Sequence, residues 1–152
     1  MDDAQAQLDT FLARFTPEVE ELARRLLDRM RLLVPGATLM VYDNYNALAI
    51  GFAPVDKASR AVLSIALYPR WVNLFFLFGA RLADPHGLLQ GKGSRVRHIR
   101  CLDETVLDDP RVLALIAEAV DRAEPPFDPA AEQKLVVKMA LAKRRARRPG
   151  ES

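Results

Sequence analysis

The chemistry-bearing residues crowd into one stretch, Asp84-Pro85-His86-Gly87-Leu88-Leu89-Gln90-Gly91-Lys92-Gly93-Ser94-Arg95-Val96-Arg97-His98-Ile99-Arg100. Three glycines, Gly87, Gly91 and Gly93, fall within seven residues. Glycine permits positive φ and close backbone approach. Gly91-Lys92-Gly93-Ser94 can therefore present N–H groups as a concave anion nest, with Lys92, Arg95 and Arg97 supplying charge. Residues 81–100 hold five Lys/Arg and one acid, which favours a carboxylate or phosphate ligand. The glycine spacing is not that of a Walker loop. The competing reading is a glycine-rich turn into a strand whose long cations lie along the surface. A further alternative has Arg97 pairing with Asp84 or Asp103 to lock the loop.

Tyr42, Tyr45, Trp71 and Asn73 offer aromatic and amide groups for a pocket on or beside an open sheet face. The other reading buries the rings and leaves their polar tips wet. The ligand-binding set expected is Tyr42, Asn44, Trp71, Lys92, Arg95, Arg97 and His98, with Gly87, Gly91 and Gly93 shaping the loop. His86 and His98 with Asp84 would make a two-histidine, one-carboxylate metal site, but their spacing does not fix that geometry and no metal site is expected. Cys101 and His98 are three apart on a candidate strand, hence on opposite faces. Cys101 is read as a buried free thiol, and no catalytic residue is assigned.

These residues need elements to hold them. Leu8, Phe11, Leu12 and Phe15 form one apolar helical stripe. Thr16-Pro17 reads as an N-cap with proline in the first turn. Val19, Leu22, Ala23, Leu26, Met30, Leu33 and Val34 continue the period until Pro35-Gly36 stops it. Glu20–Arg24 and Glu21–Arg25 fit i,i+4 pairs. Strands then follow at 37–43, 46–53, 60–68 and 71–78, joined by short turns that allow only antiparallel neighbours. Ala61, Leu63, Ile65 and Leu67 are expected on one face. A fifth strand candidate is 95–101. Asp109-Pro110 caps a helix with the stripe Val112, Leu115, Ile116 and Ala119, which Pro125-Pro126 ends. Asp128-Pro129 is read as the start of a last helix.

The chain has 152 residues, half of them apolar and 28% charged. That suits one domain with a packed core and excludes general disorder. A single cysteine excludes an internal disulfide framework and a cysteine-rich zinc site. Met1-Asp2-Asp3 lacks the layout of a secretory leader. The apolar run Leu74–Phe78 is far too short to span a bilayer, so no membrane association and a cytoplasmic location are expected. Net charge is +2, but residues 129–152 hold seven Lys/Arg and two acids. The run Lys143-Arg144-Arg145-Ala146-Arg147-Arg148 is read as a solvated, frayed end, dispensable for folding. It lacks an interleaved aromatic, and nucleic acid is not expected as a partner.

The motif Asp84-Pro85-x-Gly87-Leu88-Leu89-x-Gly91-x-Gly93-x-x-x-Arg97-His98-Ile99 closely resembles the signature of the YdhG-like domain family, a bacterial group of unknown function. Asn73-Leu74-Phe75-Phe76-Leu77-Phe78-Gly79-Ala80 and the hairpin at Tyr42 and Tyr45 are similar to the same family, and the resemblance covers residues 20–122. It implies a frataxin-like two-layer α+β sandwich, with helices on one face of an antiparallel sheet of about five strands. It also implies an intracellular iron chaperone as the alternative function. The chain departs from the family pattern with Trp71 where many members have histidine. It has Tyr42-Asp43-Asn44-Tyr45-Asn46 where many have Gly-x-Pro. The helix matching the frataxin acidic ridge carries Glu18, Glu20, Glu21 and Asp28 against Arg24, Arg25, Arg29 and Arg31.

The expected organisation is an N-terminal helical segment over 1–16, an α+β domain over 17–128, and a basic C-terminal helix or tail over 129–152. The function expected is a non-catalytic binding module for a small anion or a partner protein. The alternative is the iron carrier, using acids of the second helix with His86 or His98. No cofactor is expected apart from iron under that alternative. A homodimer through the open sheet face is the other partner considered.

Overall fold

The computed structural model describes residues 3–151. Met1, Asp2 and Ser152 lie outside the described residues, and with them part of the leader reading and the extreme ends of the 1–16 and 129–152 segments. Helix α1 (Asp3–Leu12) buries Leu8, Phe11 and Leu12. Helix α2 (Pro17–Leu33) starts where the Thr16 hydroxyl accepts the Val19 N–H at 3.3 Å. Proline costs nothing there because the first-turn N–H groups have no partner inside the helix. Four strands follow: β1 (Thr38–Asp43), β2 (Leu48–Ala53), β3 (Leu63–Leu67) and β4 (Val72–Phe76). Strand β5 (Arg97–Cys101) and helix α3 (Pro110–Asp121) come next, and Asp109 caps α3 by accepting the Arg111 N–H at 2.9 Å.

The last element corrects the sequence reading. Lys134–Ala140 is a strand, β6, and not a helix. It lies parallel to β1, so the sheet is mixed and six-stranded, ordered β5-β4-β3-β2-β1-β6. The protein is therefore α+β, but its sheet is neither five-stranded nor wholly antiparallel. Docking decides this: Leu135 and Val137 pack on the main core, and the Gln133 amide donates to the carbonyls of Arg31 and Val34 at 3.2 Å each, satisfying the orphan C-terminal carbonyls of α2. The chain reaches β6 past Gly36, at φ +78, where an added Cβ would fall 1.8 Å from the Asp128 carbonyl oxygen.

The sheet has two unlike faces. Leu39, Val41, Leu48, Ile50, Phe52, Leu63, Ile65, Leu67, Val72, Leu74 and Phe76 form one buried cluster with all three helices. The opposite face shows two cross-strand rows: Arg100–Asn73–Ala66–Ala49–Tyr42–Met139 and His98–Phe75–Ser64–Gly51–Met40–Val136. Ala61 is a second correction. It packs with Met40 and Ala53 and not with Leu63, Ile65 and Leu67. The 3-10 turn Ala58–Arg60 interrupts the alternation before β3 begins.

Candidate functional site

A cavity of about 1000 Å³ opens between one end of the sheet and the C-terminal end of α3. Its floor is apolar, from Val62, Phe76, Phe78, Ala119 and Ala123. Ala119 of α3 and Ala123 just after the helix leave space that larger side chains would fill. Four arginines line it: Arg60 from the turn before β3, Arg81, Arg95 and Arg122. Arg81 ends a short 3-10 turn, Gly79–Arg81, directly after Phe78. Arg95 is pinned beside that turn because its carbonyl accepts the Ala80 N–H at 2.9 Å.

Both Arg81 and Arg95 place their guanidinium carbons over the Phe78 ring, at 5.3 and 4.9 Å from its centroid. Cation–π attraction holds each in place without neutralising it. Among the described residues, Arg60, Arg81 and Arg95 form no ion pair, whereas Arg122 is held by Glu118 at 2.9 Å. Asp121 and Glu124 are the acids that line the cavity, so cations are in excess. Arg60, Arg81, Arg95 and Arg122 are all exposed along the cavity, where solvent screens but does not cancel their mutual repulsion. An anion entering the cavity relieves that repulsion.

The expected ligand set does not converge. Arg95 faces the cavity just described. Arg97 donates from Nη1 to the carbonyls of Val96, at 2.8 Å, and Gly93. It therefore locks the glycine loop, as the competing reading expected, but through carbonyls and not through Asp84 or Asp103. The Asp84 carboxylate instead accepts the N–H groups of Leu88 and Leu89, each at 2.9 Å, and Asp103 caps the following turn. Lys92 stands exposed in the loop, where Gly87 and Gly91 have φ of +63 and +125. Gly93 has no positive φ, and a Cβ there would meet nothing within 4 Å.

His98 lies on the open face with its ring 5.5 Å from that of Phe75. Trp71 lies under the Arg100 guanidinium at 4.4 Å and beside Tyr68 at 5.7 Å. Tyr42 is four strands away from His98 by register, roughly 19 Å at ~4.8 Å per strand. Asn44 uses its carbonyl to accept from Arg147.

Cys101 faces the core, and burial pushes its thiol up to about 12, so it has no thiolate for nucleophilic work at neutral pH. Glu20 and Glu21 are paired with Arg24 and Arg25. Among the described residues no group of three or more His, Cys, Asp and Glu is placed to hold a metal ion. Arg60, Arg81, Arg122 and Phe78 were missed by sequence reading. Only Arg81 and Arg95 carried a signal, as members of the basic stretch; Arg60 is a lone cation before a strand, brought in by β3–β4 pairing.

A second charged centre lies at the other end of the sheet. Asp43 sits on the core-facing side of β1 and is 1% exposed. It receives Arg147 Nη2 at 2.9 Å and Arg14 Nη1 at 3.0 Å, with Arg144 at 3.9 Å. Arg147 is itself 3% exposed, lies over the Phe15 ring and donates to backbone carbonyls of the β1–β2 turn. The reading of the basic run as a frayed, dispensable end is thereby corrected at Arg147. A carboxylate buried in the core face requires a buried partner, and the tail supplies it.

No protein-family model matches the chain, and no curated protein or solved structure matches it. Among the described residues no helix is long and apolar enough to cross a membrane.

Proposed function

We propose that this protein is a non-catalytic binding module for a small anionic ligand, held in the arginine-lined cavity between the sheet end and α3. The observation that supports it most is the pair Arg81 and Arg95 on one phenylalanine ring, with Arg60 nearby and no carboxylate closing any of the three. Guanidinium forks suit phosphate and carboxylate oxygens. The apolar floor suits an anion with a small hydrophobic body. The site moves the expected anion pocket from the tip of the Gly91–Ser94 loop to its base, where Arg95 emerges. The motif that resembles the YdhG-like family lies across the same loop.

The test is thermal unfolding and calorimetry with phosphate, sulfate and citrate. A ligand that binds only the folded state stabilises it by RT ln(1 + [L]/Kd). Phosphate or citrate should raise the melting temperature of the wild type, and Arg81→Ala and Arg95→Ala should each abolish most of that rise. Equal protection of wild type and both variants would remove the cavity from consideration.

A further inference from the structure

The open face of the sheet has a trough of about 590 Å³, and Ala49, Ala66 and Ser64 lie on its floor. Small side chains alone make no site. Three independent features point to what fills it. The first is Asn73, 6% exposed, whose Oδ1 is buried without a hydrogen-bond partner. It lies on this face opposite Ala66 and beside Arg100. A buried amide oxygen without a donor is costly; Asn73 adjoins the trough through Ala66, and a ligand reaching past Ala66 with an N–H or O–H group would satisfy it.

The second feature is the rings in and beside the trough: Tyr45, Tyr68 and Phe75 line it, and Trp71 lies against Tyr68. Arg100 lies over Trp71, His98 against Phe75, and Arg145 over Tyr45 at 5.6 Å. The Arg145 N–H also binds the Tyr45 carbonyl at 2.8 Å, so the folded tail brings the aromatic that the basic run lacks in sequence. The third is charge. Neither cross-strand row of this face contains an acid. The neighbouring tail surface is lined by Arg14, Lys143, Arg144, Arg145, Arg147 and Arg148 against one acid, Glu151.

Flat rings flanked by guanidinium groups, a hydrogen-bond acceptor awaiting a donor, and a border that is cationic on the tail side form the stacking surface that unpaired bases need. We propose that the open face binds single-stranded nucleic acid, with bases stacked against Phe75 and the Trp71–Arg100 pair and the phosphates led toward the Lys143–Arg148 surface. This site is on the opposite face of the sheet from the arginine cavity and does not depend on it.

Trp71 is the only tryptophan, so its fluorescence reports the site directly. The experiment titrates the full chain with a fluorescein-labelled twelve-nucleotide oligoadenylate, ribo and deoxy, reading anisotropy, and with the unlabelled oligomers, reading Trp71 emission. Either backbone should bind with quenching of Trp71 and weaken as salt rises. Phe75→Ala and Arg100→Gln should each reduce affinity by about tenfold. Arg100 is exposed, so Arg100→Gln keeps the test valid if Phe75→Ala folds poorly. Absence of binding at low salt overturns the proposal. So does binding that both variants retain in full and heparin removes, which would assign it to the tail cations alone. Equal affinity for a twelve-base-pair duplex also overturns it. A concentration-dependent dimer lost in Phe75→Ala, without oligonucleotide binding, would reassign the face to a second copy of the chain.

Discussion

Arg147 and the Arg81–Arg95 pair show two uses of the same side chain. Each guanidinium lies over a phenylalanine ring: Arg147 over Phe15, the other two over Phe78. Arg147 is enclosed by the Asp43 carboxylate and the carbonyls of Asn44 and Ala47. Its charge is compensated inside the protein, and it closes the fold. Arg81 and Arg95 have the ring but no carboxylate, so their charge remains available to a ligand. The lesson is that ring contact alone does not separate a structural arginine from a binding one; the presence of a compensating acid does.

The sharpest way to break this comparison is to remove Arg147. Arg147→Ala leaves Asp43 buried with Arg14 as its nearest cation, and should cost about 3 kcal/mol. In a chain of this size that lowers the melting temperature by on the order of 10 °C. Truncation after Ala142 should lose at least as much. A truncated chain melting within a few degrees of the full one, measured by calorimetry, would show the tail to be dispensable after all.

Arg81→Ala and Arg95→Ala should behave oppositely. Each should weaken phosphate or citrate binding by about 1.5–3 kcal/mol, the range for a hydrogen bond to a charged group. Neither should lower unliganded stability by more than about 0.5 kcal/mol. If either variant destabilises the free protein as much as Arg147→Ala does, the distinction between the two regions fails.

The loop between them gives a smaller contrast. Gly91→Ala forces a side chain onto φ +125, with the Val96 carbonyl oxygen 3.3 Å from the new Cβ, and should cost about 1–3 kcal/mol. Gly93→Ala should be neutral within about 0.5 kcal/mol, because its φ is ordinary and the space around it is open. Urea unfolding of both variants checks this.

The smallest effect is on acid stability. The hydrogen bonds of Arg111 hold the Asp109 carboxyl down to about 2, below its usual 3.8. A carboxyl with a lowered folded-state value stabilises fully above the unfolded value and loses that contribution as pH falls. The contribution should therefore be present at neutral pH and fade between about pH 4 and 2. Asp109→Asn should be less stable than wild type at pH 6, and the two should converge near pH 2. A constant difference across that range would exclude the carboxylate as its source.

Much of the fold was legible because local rules and tertiary packing agree. The Thr16 and Asp109 caps, the α2 stripe and the four-strand meander all follow from spacing and turn chemistry. The C-terminal part was not legible. Leu135-Val136-Val137 has β-branched residues suited to a strand, but Asp128-Pro129 ahead of it and the basic run behind it suggested a helix and a loose end. A parallel strand gains its partner only when β1 is already in place, and that partner lies over 90 residues earlier.

The candidate site divides in the same way. The sequence by itself determined that the Gly87–Arg100 stretch is a glycine-rich, cationic loop, because composition and spacing are local properties. It also determined that Cys101 and His98 face opposite ways, because strand alternation is fixed by backbone geometry. Only the tertiary structure decided which cations keep their charge available. Arg97 turns back onto its own loop, Arg147 is enclosed around Asp43, and Arg60 meets Arg81 and Arg95. An arginine's role depends on which acids and carbonyls lie within a few ångströms of its guanidinium, and strand pairing and the packing of α3 set those distances.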